Sequence, residues 1–305
     1  MGPAPADPRG EGGTLVTTGP TIAARPRRDR SGLSRTAVTL KYLSLLLASA
    51  VVLVPLGVVV LTSLKTRSEI VNDGPLSLPG DWFNFGNYAT AFEQGAMLRA
   101  FGNTALILVV STAGTVLIGS MTAYAIDRFR FRLRKLVTGL FLLASLVPSV
   151  TTQVATFQVI DDLGAFNTRW APILLYSGTD IVSIYIFLQF IRSIPISVDE
   201  AARIDGANSW TIYRKIIFPM LRPAVATVVI VKGIAVYNDF YVPFLYMPDP
   251  ELGTISTALF RFKGPFGAQW ETISAGAILV IVPTLIIFLA LQRFIYSGFA
   301  AGSSK

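Results

Sequence analysis

The 305-residue sequence contains no cysteine and no histidine. Without cysteine there is no disulfide framework, no thiolate zinc site and no thiol nucleophile. Without histidine the commonest general base and the commonest metal ligand are missing. Together these absences argue against most metalloenzymes and nucleophile–base hydrolases, while carboxylate chemistry stays open. Charge is scarce as well: Asp, Glu, Lys and Arg make up 14% of the chain, against roughly 25% in a typical soluble domain. No Gly-x-x-x-x-Gly-Lys-Ser/Thr sequence is present, so any ATP has to be bound by another chain. The expectation is a non-enzyme with no metal and no cofactor of its own.

What is present is apolar sequence, 52% of the residues, gathered into long runs. Each of about 20 residues can cross a hydrocarbon core of roughly 30 Å. Six such spans are expected, near 40–64, 101–126, 136–160, 171–191, 219–243 and 273–294. The first, third and sixth contain Pro55, Pro148 and Pro283. Proline is tolerated in a membrane helix when neighbours satisfy the freed carbonyls. The chain therefore reads as an all-α polytopic membrane protein with a six-helix transmembrane domain over 37–305. Residues 1–36 are rich in Pro, Gly, Thr and Arg without apolar periodicity, and read as a disordered basic tail. The first apolar run is too long for a cleaved signal peptide.

Most of the 26 Lys and Arg residues fall on one side of this topology. They lie in the tail, the 127–135 loop, the 192–222 loop and the C-terminus. The positive-inside rule then puts both termini in the cytoplasm. The 127–135 loop serves either as a topological stop or as a contact for anionic lipid. Trp82, Trp170 and Trp270 fall in or beside the outer loops, suited to anchoring at the headgroup level or to stacking on a sugar.

Within the spans, Lys232 is the one deep basic residue, and it demands a protein or water neighbour. At 1.5 Å per residue it lies at roughly the depth of Asp180 on the preceding span. Asp239, seven residues beyond Lys232, is expected on the same helix face. This stripe either lines a translocation path or pins two helices as an ion pair. Gly114, Gly119 and Ser120 permit close helix approach.

The longest internal loop, 197–219, carries the most information. Ser197 or Asp199 is expected to cap a short helix, and Asp199 and Glu200 suit its positive end. Ala201 and Ala202 leave a smooth face, Gly206 allows a turn, and Pro219 is expected to start the next span. The shape is one for docking into another protein's cleft. Glu200-Ala201-Ala202 followed by Asp205-Gly206-Ala207, with Ile216 and Pro219 beyond, resembles the EAA loop of bacterial ATP-binding-cassette importer permeases.

Within that superfamily the chain resembles the maltose-type (MalG-like) sugar permeases. The likeness runs from Asn103-Thr104 through Ala123-Tyr124-Ala125 and Asn238-Asp239-Phe240 to Gly298, Ala301, Gly302 and Lys305. It departs at Tyr237, where the family has Trp, and at Phe218, where it has Leu. The resemblance implies a type I importer (MetI-like) fold in a bacterial cell membrane. It also implies a second, MalF-like permease, two ATPase subunits that bind ATP and Mg, and an extracellular solute-binding protein delivering a sugar. It makes Glu200, Ala201, Ala202, Asp205, Gly206, Ala207 and Pro219 the ATPase-coupling residues. Asp180, Lys232, Tyr237, Asn238 and Asp239 become translocation-path candidates. Gly302 and Lys305 belong to a tail that either reaches the ATPase or frays. A permease for a glycerol phosphate ester or peptide, and an ATP-independent secondary carrier, are the competing expectations.

Overall fold

The computed structural model describes residues 35–303 apart from 149, 179, 265 and 266, together with Gly2; within the last helix, side chains are described to 286 and at 289. Most of the expected 1–36 tail, and Lys305, lie outside the described residues. The helices are α1 Arg35–Leu64, α2 Arg67–Asp73, α3 Gly86–Gln94, α4 Met97–Arg128, α5 Arg134–Leu146, α6 Gln153–Asp162, α7 Trp170–Ser177 and α8 Ile181–Ser193. There follow α9 Ser197–Ile204, α10 Ser209–Ile212, α11 Phe218–Met220, α12 Arg222–Asn238, α13 Tyr241–Tyr246, α14 Ile255–Ala258 and α15 Trp270–Ser303. One two-residue hairpin, β1 Lys263–Gly264 with β2 Gly267–Ala268, precedes α15.

The chain divides into two units, Met1–Leu53 and Val54–Lys305. The described part of the first is the opening stretch of α1, whose Leu40, Leu46, Val51 and Leu53 are exposed, as a lipid-facing helix would be. Among the described residues, Ala37–Leu64 and Met97–Arg128 are each long and apolar enough to cross a membrane, and counting each of two bent helix pairs as one span gives up to four.

The bends occur where local chemistry forbids a straight helix. The span expected over 136–160 is interrupted: α5 stops at Leu146, and Val147 is extended (φ −78°, ψ 118°). Val147 precedes Pro148, whose ring pushes the preceding residue out of the α region. The pair α7 and α8 meets at 41° around Gly178–Asp180. The span expected to begin at Pro219 begins instead at Arg222, after a 72° bend. Pro223 in the first turn of α12 has no N–H to offer the carbonyl four residues back, so the ladder is interrupted there. The turn before Pro219 widens into a π-helix over Tyr213–Ile217, which eases the clash a proline ring makes with the carbonyl four residues earlier. Proline 283, by contrast, is carried inside α15.

In the second unit, α4 is the central element and packs against α7, α8 and α12. Its small residues set the approach. A Cβ on Gly114 would meet Ser177 at 2.7 Å, and one on Gly119 would meet Phe187 at 3.3 Å. The largest core cluster lies at the end of the bundle where α4 and α8 finish. It joins Ala123, Tyr124 and Ile126 of α4 and Phe187, Leu188 and Ile191 of α8 to Ala202, Ile212, Tyr213, Ile217 and Leu221 of the 197–221 segment. The connecting loop is thus part of the core.

Candidate functional site

The segment 197–219 folds as a helix, a turn and a second helix. Helix α9 is preceded by Ile196, which gives no side-chain cap, so the cap expected from Ser197 or Asp199 is not formed. Asp199 points into the protein instead and is fully buried. At the other end the Gly206 N–H donates to the Arg203 carbonyl and the Ala207 N–H to the Ala202 carbonyl, both at 3.0 Å. This is the Schellman arrangement, and it requires the left-handed backbone that Gly206 adopts at φ +81°. Asn208 then caps α10, its Oδ1 accepting from the Thr211 N–H at 2.8 Å.

Two faces of α9 result. Ala202 and Asp199 face the core, while Glu200, Ala201, Arg203, Ile204 and Asp205 face outward. Ile204 is 86% exposed, and Ile196 and Trp210 beside it are also exposed. A small helix that projects a naked isoleucine between short and acidic side chains offers an apolar knob with a charged rim. Pro219 is exposed on α11, away from α9 in sequence and beyond the π turn.

The inner face carries a buried ionic joint. The Arg128 Nε of α4 lies 3.0 Å from Asp199 Oδ2, with both side chains almost fully buried. The N–H direction misses the oxygen, so the contact is an ion pair without a hydrogen bond. The same guanidinium meets Asp127 Oδ2 at 2.7 Å and donates to the Ile194 carbonyl at 2.7 Å. The Tyr124 hydroxyl donates to Asp199 Oδ1 at 3.3 Å. A second tie joins Ser120 of α4 to the Tyr213 hydroxyl at 2.8 Å, and Tyr213 rests between Tyr124, Trp210 and Phe218. From sequence position alone, Arg128 fits a topological role and Asp199 a capping one. Position gives Tyr124 and Tyr213 no contact across the loop. No signal in chain order pairs Arg128 with Asp199, because Arg128 ends α4 and the helix directly before the loop is α8.

The translocation-path candidates separate into three environments. Lys232 of α12 lies 3.6 Å from Asp180 Oδ2 at the start of α8, both partly buried, and its Nζ stands 5.8 Å from the centre of the Tyr176 ring. Asp180 also accepts a hydrogen bond from Ser183. Asp239 is not on the helix face of Lys232, because α12 ends at Asn238 and Asp239 turns outward at ψ 119°. Its carboxylate accepts from the Tyr241 N–H at 2.8 Å and from the Tyr176 hydroxyl at 2.8 Å. A short polar side chain bonding the backbone ahead of it competes with helix continuation. Tyr176 thereby links the Lys232–Asp180 pair to Asp239. Asn238 is exposed and donates to the Ile234 carbonyl. Tyr237 turns away to α15, where its hydroxyl accepts from Thr284 Oγ1 at 2.6 Å. The tail candidates Gly302 and Lys305 lie outside the residues whose surroundings are described.

With this geometry in hand, the likeness to known proteins is informative. Residues 115–300 match the family described as binding-protein-dependent transport system inner membrane component. The galactooligosaccharides transport system permease protein GanQ of Bacillus subtilis is 35% identical over 72% of this chain and 80% of its own length. The melibiose/raffinose/stachyose import permease protein MelC of the same organism is 29% identical over 83% of this chain and 91% of its own. The diacetylchitobiose uptake system permease protein NgcG of Streptomyces coelicolor is 29% identical over 91% of this chain and 92% of its own. Among solved structures, a chain of a bacterial ABC transporter involved in the import of the acidic polysaccharide alginate superposes with a TM-score of 0.72. That match is at 19% identity and covers 86% of this chain and 98% of that one. The fold is that of importer permeases.

Proposed function

The chain belongs to the family of binding-protein-dependent transport system inner membrane components, and from that premise we propose that it is the sugar-conducting permease subunit of an ATP-binding-cassette importer. Three relatives of high coverage are named for the import of oligosaccharides. The chain is a transport component, and the ATP that drives it is hydrolysed on partner subunits carrying ATP and Mg. A second permease completes the pathway, and an extracellular binding protein supplies the sugar. The orientation that fits the charge distribution has both termini in the cytoplasm.

The observation that carries the reading is the two-faced loop at 197–219. Its outer face projects Ile204 among Glu200, Ala201 and Asp205, a shape suited to a cleft on an ATPase subunit. Its inner face is fused to α4 and α8 through the core cluster and the Arg128–Asp199 pair. Closure of the ATPase pair would thus move α9 and the ends of α4 and α8 together. Only an interaction that differs between two orientations shifts their balance, and a rigid joint delivers that difference to the helices. The Asp180–Lys232–Tyr176–Asp239 chain crosses from α8 to α12 and is the polar element suited to sense or gate a sugar.

The test is uptake by proteoliposomes holding the transporter assembled from this chain and its partner chains. With binding protein outside and ATP inside, a labelled galacto- or gluco-oligosaccharide from a panel is taken up, and uptake stops without ATP. Uptake that continues without ATP, or an assembled and ATP-hydrolysing complex that moves none of the panel, contradicts the reading.

A further inference from the structure

Helices α5 and α8 lie side by side over an open groove of about 480 Å³, lined by Leu142 and Ser145 from one helix and Ile181, Val182, Ile186 and Gln189 from the other. Arg192 closes one end. Arg134, at the start of α5, comes to the same end because both guanidiniums reach the same oxygen: Arg134 Nη2 lies 3.5 Å and Arg192 Nε 3.6 Å from Asp127 Oδ1. That carboxylate is already engaged by Arg128 at 2.7 Å and is nearly buried, whereas Arg134 is 36% and Arg192 56% exposed. Three guanidiniums therefore converge on Asp127, and Arg128 alone of the three is also paired with a second acid, Asp199. The two outer ones stay at ion-pair rather than hydrogen-bond distance and are partly exposed. Arg130, Arg132 and Lys135 add charge in the adjoining loop.

An apolar channel ending at two convergent, under-neutralised guanidiniums has the complementarity of a phospholipid with a net negative headgroup. Guanidinium forks match phosphate oxygens bidentately, and basic pockets between membrane helices take anionic headgroups. We propose that this groove binds an anionic phospholipid, one acyl chain between α5 and α8 and its phosphate on Arg134 and Arg192. The inference goes beyond sugar import and depends only on the chain lying in a bilayer. A free phosphate satisfies the charge and leaves the groove empty; a lipid uses both.

The full chain is reconstituted in nanodiscs of phosphatidylcholine alone or with added phosphatidylglycerol, and thermal unfolding is followed. Phosphatidylglycerol raises the midpoint by about 2–4 °C, the shift that about 1 kcal/mol of preferential binding gives in a chain of this order of size. The difference vanishes in the Arg134→Gln/Arg192→Gln variant. It also vanishes in Leu142→Trp, which fills the groove and keeps both charges. The midpoint in phosphatidylcholine shows that each variant is folded. Inorganic phosphate added to phosphatidylcholine discs gives no shift. Equal midpoints in the two lipids overturn the proposal. So does a phosphatidylglycerol effect that survives Leu142→Trp and is matched by inorganic phosphate, which marks a bare anion patch. Crosslinking of a Leu142→Cys variant to a second permease in the assembled transporter overturns it too, because the groove is then a subunit interface.

Discussion

Asp199 and Arg128 cannot be replaced singly without leaving a charge in the core. Removing one partner of a buried pair costs about 3–5 kcal/mol, whereas replacing both with apolar groups is often neutral. Asp199→Asn and Arg128→Gln should each lower thermal stability markedly, and Arg128→Met with Asp199→Leu should recover much of it. Equal losses in the single and double variants would contradict a direct coupling of Arg128 to Asp199. A second residue-scale expectation concerns Glu69. It accepts from the Thr66 N–H and hydroxyl and from the Gly80 N–H, and these bonds hold its carboxyl below the usual carboxylate range. A depressed folded pKa gives stability that is present above the ordinary value and lost as pH falls through the folded one. The protection factor for hydrogen exchange over residues 66–81, taken against the intrinsic rate at each pH, should therefore be high at neutral pH and fall on acidification below the usual carboxylate range, and Glu69→Gln should show low protection at neutral pH already. At this scale the sequence was legible in residue type more than in role. An aspartate in a first helical turn looks like a cap in one dimension, and only folding shows that α4 brings an arginine beneath it.

Among the elements, the turn after α9 depends on one residue. Gly206→Ala forces a Cβ into the left-handed region at a cost of roughly 1–2 kcal/mol, and Gly206→Asn should cost less because asparagine tolerates that backbone. The unfolding midpoints of the two variants test this, and equal midpoints would contradict it. Between α8 and α12, reversing the pair as Asp180→Lys with Lys232→Asp should retain more function and stability than either single change, measured by uptake and thermal unfolding. If the double variant is no better than the singles, the two residues are not partners. The long apolar runs made the main helices legible, because burying or spanning needs length. Their interruptions were less so. Pro55 and Pro283 sit inside helices while α5 stops just before Pro148, and chain order does not distinguish the three. Asp239 was misplaced for a related reason: counting seven residues from Lys232 assumes that the helix continues, and the Asp239 side chain stops it by bonding the backbone of Tyr241.

At the scale of the helix bundle, the outward-facing helix α9, proposed above as the docking element, is packed directly onto the ends of α4 and α8. The Gly206 turn, the Asn208 cap, the π turn and the core around Ile212, Tyr213 and Ile217 all fix α9 relative to α4 and α8. The Glu-Ala-Ala and Asp-Gly-Ala pattern made the loop legible, since its residue types follow from what a helix and a left-handed turn need. The joint beneath it was not, since its hydrogen bonds join residues 75 and 93 apart in sequence. The most direct test is co-purification of the tagged chain with its partner chains from mild detergent, comparing wild type with Ile204→Arg. Retention of a second permease by both, with the ATPase held by wild type and lost from the variant, is the expected result. An ATPase that remains bound when Ile204 is replaced by arginine, and also when Glu200→Arg is added, would contradict the assignment of this loop as the docking element.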